Sequence, residues 1–175
     1  PVTRRPATHR SITSTPRTAE RLGVALPIYP LRGQILALHT IPTPLRRVVF
    51  GADAYLAPKA EGSVVVGATY EEAGFDDRLT AAGVGWLLAA AQTLVPALAH
   101  ATFRQAWVGL RPASRDGLPI LGPLPGWDGV TVATGHTAEG VLLSPITGKV
   151  IAQHVRGEPI DLSLTPFDPG RFGVQ

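Results

Sequence analysis

Two different spacings of apolar residues divide this chain, and the change between them constrains its fold more than any other feature. Up to Thr69 the apolar residues form short runs typical of β-strands, of which residues 63–69, with three successive valines, are the clearest. From Val84 to Val95, apolar side chains follow Val84 at three, four, seven and eleven positions, as on one face of a helix. The pattern predicts an α+β fold with an antiparallel sheet, one long helix and a later strand–turn–helix unit.

The same spacings predict the individual elements. A helix is expected between Thr80, its N-cap, and Pro96, and a second one at residues 140–156. Residues 112–126 are rich in proline and glycine and are expected to form a loop, and the last nineteen residues an irregular tail. Six segments are expected to form strands: residues 28–38, 46–50, 54–57, 63–69, 102–110 and 130–134.

The basic charge is concentrated at one end of the chain. Residues 1–21 contain five of the sixteen basic residues but one of the thirteen acidic residues. They lack apolar periodicity, so they are expected to form a basic, disordered tail. The remaining residues have nearly balanced charge, which argues against a basic surface for nucleic acid, and no nucleic-acid partner is expected.

Residues that the chain lacks exclude several classes of site. Without cysteine there are no disulfides, cysteine metal ligands or cysteine nucleophiles, and the five histidines do not have metal-ligand spacing. The longest apolar stretch, residues 84–99, is interrupted and too short to span a bilayer, and no secretory signal follows the tail. A cytoplasmic location without a membrane span is therefore expected. The absence of methionine leads us to expect that the chain is either processed or a fragment of something longer.

Arg111 is the first candidate binding residue. It ends the apolar strand predicted at residues 102–110 and is followed directly by Pro112. A guanidinium placed there is a rigid fork that can grip a carboxylate through two parallel hydrogen bonds. The alternative is a structural ion pair with Asp116 or another acid, and the residues alone leave both open.

Two further patterns indicate binding sites. Residues 130–140 read as a strand, a turn bounded by Gly135 and Gly140, and the start of a helix, whose free N–H groups can bind an anion or a carbonyl. An ordinary strand–helix turn is the alternative. Tyr55 and Tyr70 lie on or at the end of predicted strands, where tyrosines line pockets or, equally, mark the boundary of a core.

Four segments resemble, in this order and spacing, the C-terminal half of a glycine oxidase or D-amino acid oxidase-type flavoenzyme. They are residues 30–34, 55–69, 107–117 and 135–145, within a similarity that covers about residues 22–172. The sequence is most similar to the glycine oxidase branch that feeds thiamine synthesis. The resemblance implies FAD as the cofactor, and a small amino acid and oxygen as the substrates.

The resemblance also implies roles for individual residues. Arg111 would grip the substrate carboxylate, Tyr55 would add a hydroxyl hydrogen bond to the same group, and Tyr70 would line the pocket. No acid–base residue is implied, since hydride passes from the substrate Cα to the flavin, giving an imino acid and then hydrogen peroxide. A turn along the flavin ring would stabilise its developing negative charge. That turn comprises His136, Thr137, Ala138, Glu139, Gly140, Val141 and Leu142.

The resemblance divides the chain after its tail into a substrate-binding domain, residues 22–112, and the C-terminal part of an incomplete FAD-binding domain, residues 113–175. The GxGxxG fingerprint of that domain is absent, so the missing FAD-binding half is expected as a partner. The strand at 130–134 is expected in a parallel sheet whose other strands are missing from this chain. A homo-oligomer is also considered. The alternatives are a non-catalytic remnant or subunit of the same fold, a sarcosine oxidase, or a D-amino acid dehydrogenase.

Overall fold

A computed structural model describes residues 20–173, and most of the predicted 1–21 tail lies outside them. These residues form two compact units: Leu31–Leu110, here the sheet unit, and residues 20–30 together with residues 111–173, here the terminal unit. The boundary therefore differs from the predicted 22–112 domain. Residues 24–28 pack with apolar residues of the later chain, in a buried cluster of Val24, Leu26, Ile28, Ile120, Leu124 and Val132.

The sheet unit contains most of a five-stranded sheet. The strands are β1 (Ile28–His39), β2 (Val49–Phe50), β3 (Tyr55–Pro58), β4 (Ser63–Gly67) and β5 (Thr102–Ser114). Their order in the sheet is β2-β3-β4-β1-β5. The antiparallel prediction is confirmed for the pairs β1/β4, β2/β3 and β3/β4. The strand predicted at 46–50 has only two residues in the structure.

One helix, α1 (Ala81–Leu94), covers the core of this sheet. The predicted cap is confirmed, because the Thr80 hydroxyl accepts a hydrogen bond from the Gly83 N–H at 3.1 Å. The predicted helix face is confirmed too: Leu87 and Ala91 are buried in the same cluster as the strand residues Leu36, Leu38, Leu56, Val64 and Val66. A 3-10 turn, Pro96–His100, follows the helix.

Two glycines of α1 give a matched pair for testing this packing. A Cβ at Gly83 would lie 2.3 Å from the Nε2 atom of the fully buried Gln34, whereas a Cβ at Gly85 would meet nothing within 4 Å. We expect Gly83→Ala to lower the free energy of unfolding by roughly 1–3 kcal/mol through overpacking. Gly85→Ala should raise it by roughly 0.5–1 kcal/mol, because alanine favours helix. Urea unfolding of both variants measures the difference, and equal effects would contradict the packing described.

The terminal unit contains a hairpin and a helix. Strands β6 (Ile120–Pro123) and β7 (Thr131–Thr134) pair antiparallel, and α2 (Gly140–Arg156) matches the predicted helix. Two 3-10 turns, Thr165–Phe167 and Pro169–Phe172, occupy part of the predicted irregular tail. Of the helices within residues 20–173, none is both long and apolar enough to cross a membrane.

One prediction for this unit is wrong. Residues 112–126 are not one loop, because β5 continues to Ser114 and β6 lies inside the segment. Pro112 is tolerated in β5 because its carbonyl, which proline retains, makes the cross-strand bond. The strand predicted at 130–134 pairs with β6, to which it is joined by the tight turn around Trp127. The parallel sheet remains a prediction, because its other strands were expected outside this chain.

Candidate functional site

Arg111 lies inside β5 rather than at its end, and its side chain is half-buried. The next residues tie this strand to the predicted flavin-facing segment. The Thr137 N–H donates to the Pro112 carbonyl at 3.0 Å, and Ala113 forms an isolated antiparallel bridge with His136. The structure therefore brings the Arg111 strand and residues 136–142 together, as the interpretation of both as site residues requires.

The segment after β7 is held in a tight turn. Gly135 is buried with a φ of +79°, and Thr137 also has a positive φ, of 50°. The Glu139 N–H donates to the His136 carbonyl at 2.9 Å, and the first bond of α2 runs from the Leu143 N–H to the Glu139 carbonyl at 2.8 Å. This turn fixes the direction in which α2 starts.

The start of α2 has the chemistry of a binding surface. Glu139 is its N-cap but makes no side-chain capping bond. The N–H groups of Gly140, Val141 and Leu142 precede the first intrahelical bond, so the helix itself offers them no acceptor. Val141 is 90% exposed and Leu142 74% exposed, which places apolar side chains beside these donors. Donors beside apolar side chains suit a flat, partly polar ring system.

Burial favours the neutral form of His136. Burial lowers the pKa of its imidazole, and its Nε2 atom lies 3.0 Å from the Thr147 hydroxyl of α2. A neutral ring adds no positive charge to the positive end of the helix dipole. Residues 20–173 contain no cluster of three or more histidine, cysteine or carboxylate side chains that could hold a metal ion.

Asp116 is bound by an arginine that the sequence did not point to. Arg171, 55 residues away, donates to both carboxylate oxygens, from Nε at 2.8 Å and from Nη2 at 3.1 Å. The same arginine donates to the Leu118 carbonyl at 3.0 Å and lies 4.2 Å over the Phe172 ring. In the structure Asp116 is therefore the ion-pair partner of Arg171.

The Asp116–Arg171 pair predicts a pH dependence of stability. Hydrogen bonds from Arg171 lower the pKa of Asp116 to about 2, below that of the unfolded chain. A carboxyl group whose pKa is lowered by folding stabilises the fold at pH values above its unfolded pKa of roughly 4. This stabilisation is lost as the pH falls towards about 2. Because the pair is partly exposed, we expect Asp116→Asn to cost at most about 1 kcal/mol at pH 7 and nothing near pH 2. Thermal unfolding across this range checks it, with the exposed Asp128→Asn as control.

Tyr55 and Tyr70 lie in the sheet unit. Tyr55 is opposite Gly67 in the β3/β4 pairing, and a Cβ at Gly67 would lie 2.5 Å from the Tyr55 hydroxyl oxygen, so the tyrosine ring lies across the glycine. Its ring centroid is 6.0 Å from that of Phe50. Tyr70 follows the end of β4 and is 61% exposed.

A buried polar network in the sheet unit was missed by the sequence interpretation. Glu71 accepts two hydrogen bonds from Arg32 and one from the Gln34 amide, at 2.8 Å, while the Thr69 hydroxyl also donates to it. Burial raises the pKa of Glu71, but the bonds from Thr69, Gln34 and Arg32 outweigh it and hold the pKa below its usual value. The signal was present: Arg32 and Gln34 lie at two-residue spacing from the core positions Leu36 and Leu38 of the same strand. They therefore share the buried face, and their polar groups require buried partners.

Comparison with known proteins identifies the family. The sequence profile of the FAD dependent oxidoreductase family (DAO) matches residues 13–154. The hydrogen cyanide synthase subunit HcnC of Pseudomonas protegens is 40% identical over 152 residues, which are 87% of this chain and 36% of the relative. Glycine oxidase of Geobacillus kaustophilus is 37% identical over 164 residues, which are 91% of this chain and 44% of the relative.

Two solved structures share the fold at comparable identity. The crystal structure of glycine oxidase from Geobacillus kaustophilus superposes with a TM-score of 0.86 at 36% identity, covering 91% of this chain and 43% of that one. Iminodiacetate oxidase from Chelativorans sp. BNC1 gives 0.85 at 36% identity, covering 90% and 44%. The chain thus spans about two-fifths of the length of the relatives it matches. It belongs to the FAD dependent oxidoreductase family, whose cofactor is FAD.

Proposed function

We propose that this chain provides the substrate-binding and flavin-facing parts of an FAD-dependent amino acid oxidase. Its substrate is glycine or another small amine-bearing acid, and its products are the imino acid and hydrogen peroxide. The observation that carries the proposal is the bond between the Pro112 carbonyl and the Thr137 N–H, which couples the Arg111 strand to the uncapped start of α2. The relatives named glycine oxidase and iminodiacetate oxidase support this substrate class.

The start of α2 fits a flavin ring. Three N–H groups without intrahelical acceptors can donate to the polar edge of the ring, and the exposed Val141 and Leu142 can cover its apolar part. In the proposal, residues 136–142 hold this edge and the neutral His136 supports the turn. When bound, FAD supplies the hydride-accepting chemistry of the reaction.

The remaining proposed roles are binding and orientation. Arg111 binds the substrate carboxylate through two parallel hydrogen bonds, the Tyr55 hydroxyl adds a third, and Tyr70 limits the size of the pocket. No residue of the chain is assigned as an acid or base. The GxGxxG fingerprint that holds a dinucleotide pyrophosphate does not occur in residues 1–175, so the proposal assigns that contact to another polypeptide segment. The holoenzyme below means this chain together with that segment and FAD.

A second candidate is a subunit of a larger synthase. The observation that favours it is the 40% identity to a protein named as a subunit of hydrogen cyanide synthase, which is as high as that to the glycine oxidase. The two candidates differ in what reoxidises the cofactor. An oxidase consumes oxygen by itself, whereas a subunit of the second kind would need a partner or an added electron acceptor.

Oxygen consumption tests the proposal. We expect the holoenzyme to consume oxygen and release an equal amount of hydrogen peroxide with glycine, and to act on sarcosine or D-alanine at a different rate. Turnover with an artificial electron acceptor but not with oxygen would favour the synthase subunit. Bound flavin without turnover of any of these amino acids under either condition would contradict both candidates and favour a non-catalytic member of the family.

A further inference from the structure

β1 pairs with β4 and then with the residues that follow β4. On the side of β4 and its continuation, this pairing contains one residue more than a regular antiparallel register. Within the strands Leu36 pairs with Val66 and Leu38 with Val64. A regular antiparallel continuation of this register would place Arg32 opposite Tyr70. The structure instead pairs Arg32 with Glu71 in an isolated antiparallel bridge, with reciprocal backbone bonds of 2.8 and 2.9 Å. One residue between Gly67 and Thr69 is therefore inserted, which is a β-bulge.

This bulge decides which face of the sheet Tyr70 occupies. Val64 and Val66 are buried against α1, so without an insertion Tyr70, at an even number of positions from them, would face the helix as well. After the insertion Thr69 and Glu71 take that side, where they contact Gln34. Tyr70 is thereby turned to the opposite face, in agreement with its 61% exposure.

Tyr55 stands on the face to which the bulge turns Tyr70. Its neighbour Leu56 is fully buried in the cluster that contacts α1, so alternation places Tyr55 on the side away from the helix. The Tyr55 ring lies across Gly67, the last residue of β4. The two tyrosines assigned to the substrate pocket are thus brought to one face of the sheet by the insertion of one residue.

Buried polar groups hold the bulge on both sides of Tyr70. On one side, the Thr69 hydroxyl accepts the Gln34 N–H at 2.8 Å, and the Thr69 N–H donates to the Gln34 carbonyl at 3.2 Å. On the other, Glu71 is held by its backbone pairing and by the guanidinium of Arg32, 2.6 Å away. The Gln34 amide joins the two sides by donating to both Glu71 and the helix cap Thr80.

Arg32 also binds the segment that follows Glu71, at residues 76–78. Its Nη1 atom donates to the carbonyls of Asp76 and Arg78 at 3.5 and 3.4 Å and lies 3.2 Å from the Asp76 carboxylate. Because the Arg32 side chain is 9% exposed, these bonds are shielded from water. A lysine could keep the charge but not the fork that reaches Glu71 and Asp76 together.

We propose that the Arg32–Glu71 pair, with Gln34 and Thr69, is the positioning device that fixes Tyr70 beside Tyr55 and so sets the size of amino acid that the pocket accepts. This inference rests on the proposed function for the meaning of the pocket, but the positioning itself concerns only the sheet unit. Arg32, Gln34, Thr69 and Glu71 are positioning residues that act through Tyr70.

Fluorine NMR tests the positioning without any enzymatic activity. The chain has three tyrosines, so 3-fluorotyrosine labelling gives three resonances, and Tyr70→Phe assigns one of them. We expect Arg32→Lys and Glu71→Gln each to shift or broaden the Tyr70 resonance. The controls Arg47→Lys and Glu72→Gln change exposed residues of the same unit and should leave it unchanged. A Tyr70 resonance that is the same in wild type, Arg32→Lys and Glu71→Gln would overturn the proposal.

Substrate preference tests whether the positioning of Tyr70 sets the size of amino acid that the pocket accepts. We expect Arg32→Lys to change the ratio of kcat/KM for glycine to that for D-alanine on the order of fivefold, and to change it little in a Tyr70→Ala background, because coupled residues are not additive. An equal change in both backgrounds would show that Arg32 does not act through Tyr70 and would overturn the proposal. If neither amino acid is oxidised by the wild type, the proposed function fails while the NMR result still decides the positioning.

Discussion

Replacing Arg111 with methionine is expected to lower kcat/KM for glycine by the equivalent of roughly 2–5 kcal/mol, the cost of removing one partner from a buried, hydrogen-bonded charge pair. The physical reason is that a carboxylate leaving water needs both charge and two aligned donors, and methionine offers neither while filling a similar volume. Arg111→Lys should restore only part of the loss, since lysine keeps the charge but not the fork. Steady-state kinetics of the holoenzyme with glycine measures both variants.

Arg115→Met is the matched control for this prediction. Arg115 is exposed four residues further along the chain, just after β5. The Arg115→Met variant should keep kcat/KM within about twofold of the wild type, as an exposed substitution away from the site does. Unchanged kinetics in Arg111→Met would remove the proposed carboxylate role, and a comparable loss in Arg115→Met would point to general electrostatics instead of a specific contact.

Replacing Gly135 with alanine is expected to lower the free energy of unfolding by roughly 2–5 kcal/mol. The φ of +79° costs a residue with a side chain roughly 1–2 kcal/mol. In addition, a Cβ there would lie 3.1 Å from the Ile28 side chain, 3.3 Å from the Ser114 Cβ and 3.4 Å from the Ile120 backbone nitrogen, a crowding worth roughly another 1–3 kcal/mol. Denaturant unfolding measures the loss.

Gly148→Ala provides the control for Gly135→Ala within the same unit. Gly148 lies in α2, and a Cβ there would meet nothing within 4 Å. Alanine should therefore stabilise the helix by roughly 0.5–1 kcal/mol. Because Gly135 fixes the turn that aims α2, we also expect its variant to bind FAD more weakly, and Gly148→Ala to bind as the wild type does. A Gly135→Ala protein with unchanged stability would contradict the turn geometry.

The sequence patterns correctly predicted the elements that depend on interactions between residues close together in the chain, such as helix caps and tight turns. The helical spacing from Val84 gave α1 with its Thr80 cap, and the glycine-bounded turn after β7 gave the start of α2. The hairpin of β6 and β7 was missed because Gly122 and Pro123 favour turns by composition, whereas their pairing with Val132 and Thr131 keeps them in a strand.

In the candidate site, too, some features could be predicted from local sequence patterns and others could not. The strand before Arg111 and the helix start at residues 136–142 were predicted from local patterns, but the strand continues past Arg111 to Ser114. The structure adds the backbone bonds that join this continuation to the helix start. The Asp116–Arg171 pair joins residues 55 positions apart and could not be inferred from spacing. Nor could the bulge beside Tyr70, since a register shift depends on which residues pair, and the pairing of Arg32 with Glu71 reveals it.

Anaerobic mixing of the holoenzyme with glycine tests the central claim most directly, because it separates the chemical step from reoxidation by oxygen. The account predicts that the visible absorbance of oxidised FAD is lost on mixing, that the loss is much slower in Arg111→Met, and that admitting oxygen restores the absorbance with release of hydrogen peroxide. Retention of the oxidised flavin spectrum with glycine, sarcosine and D-alanine alike would contradict it.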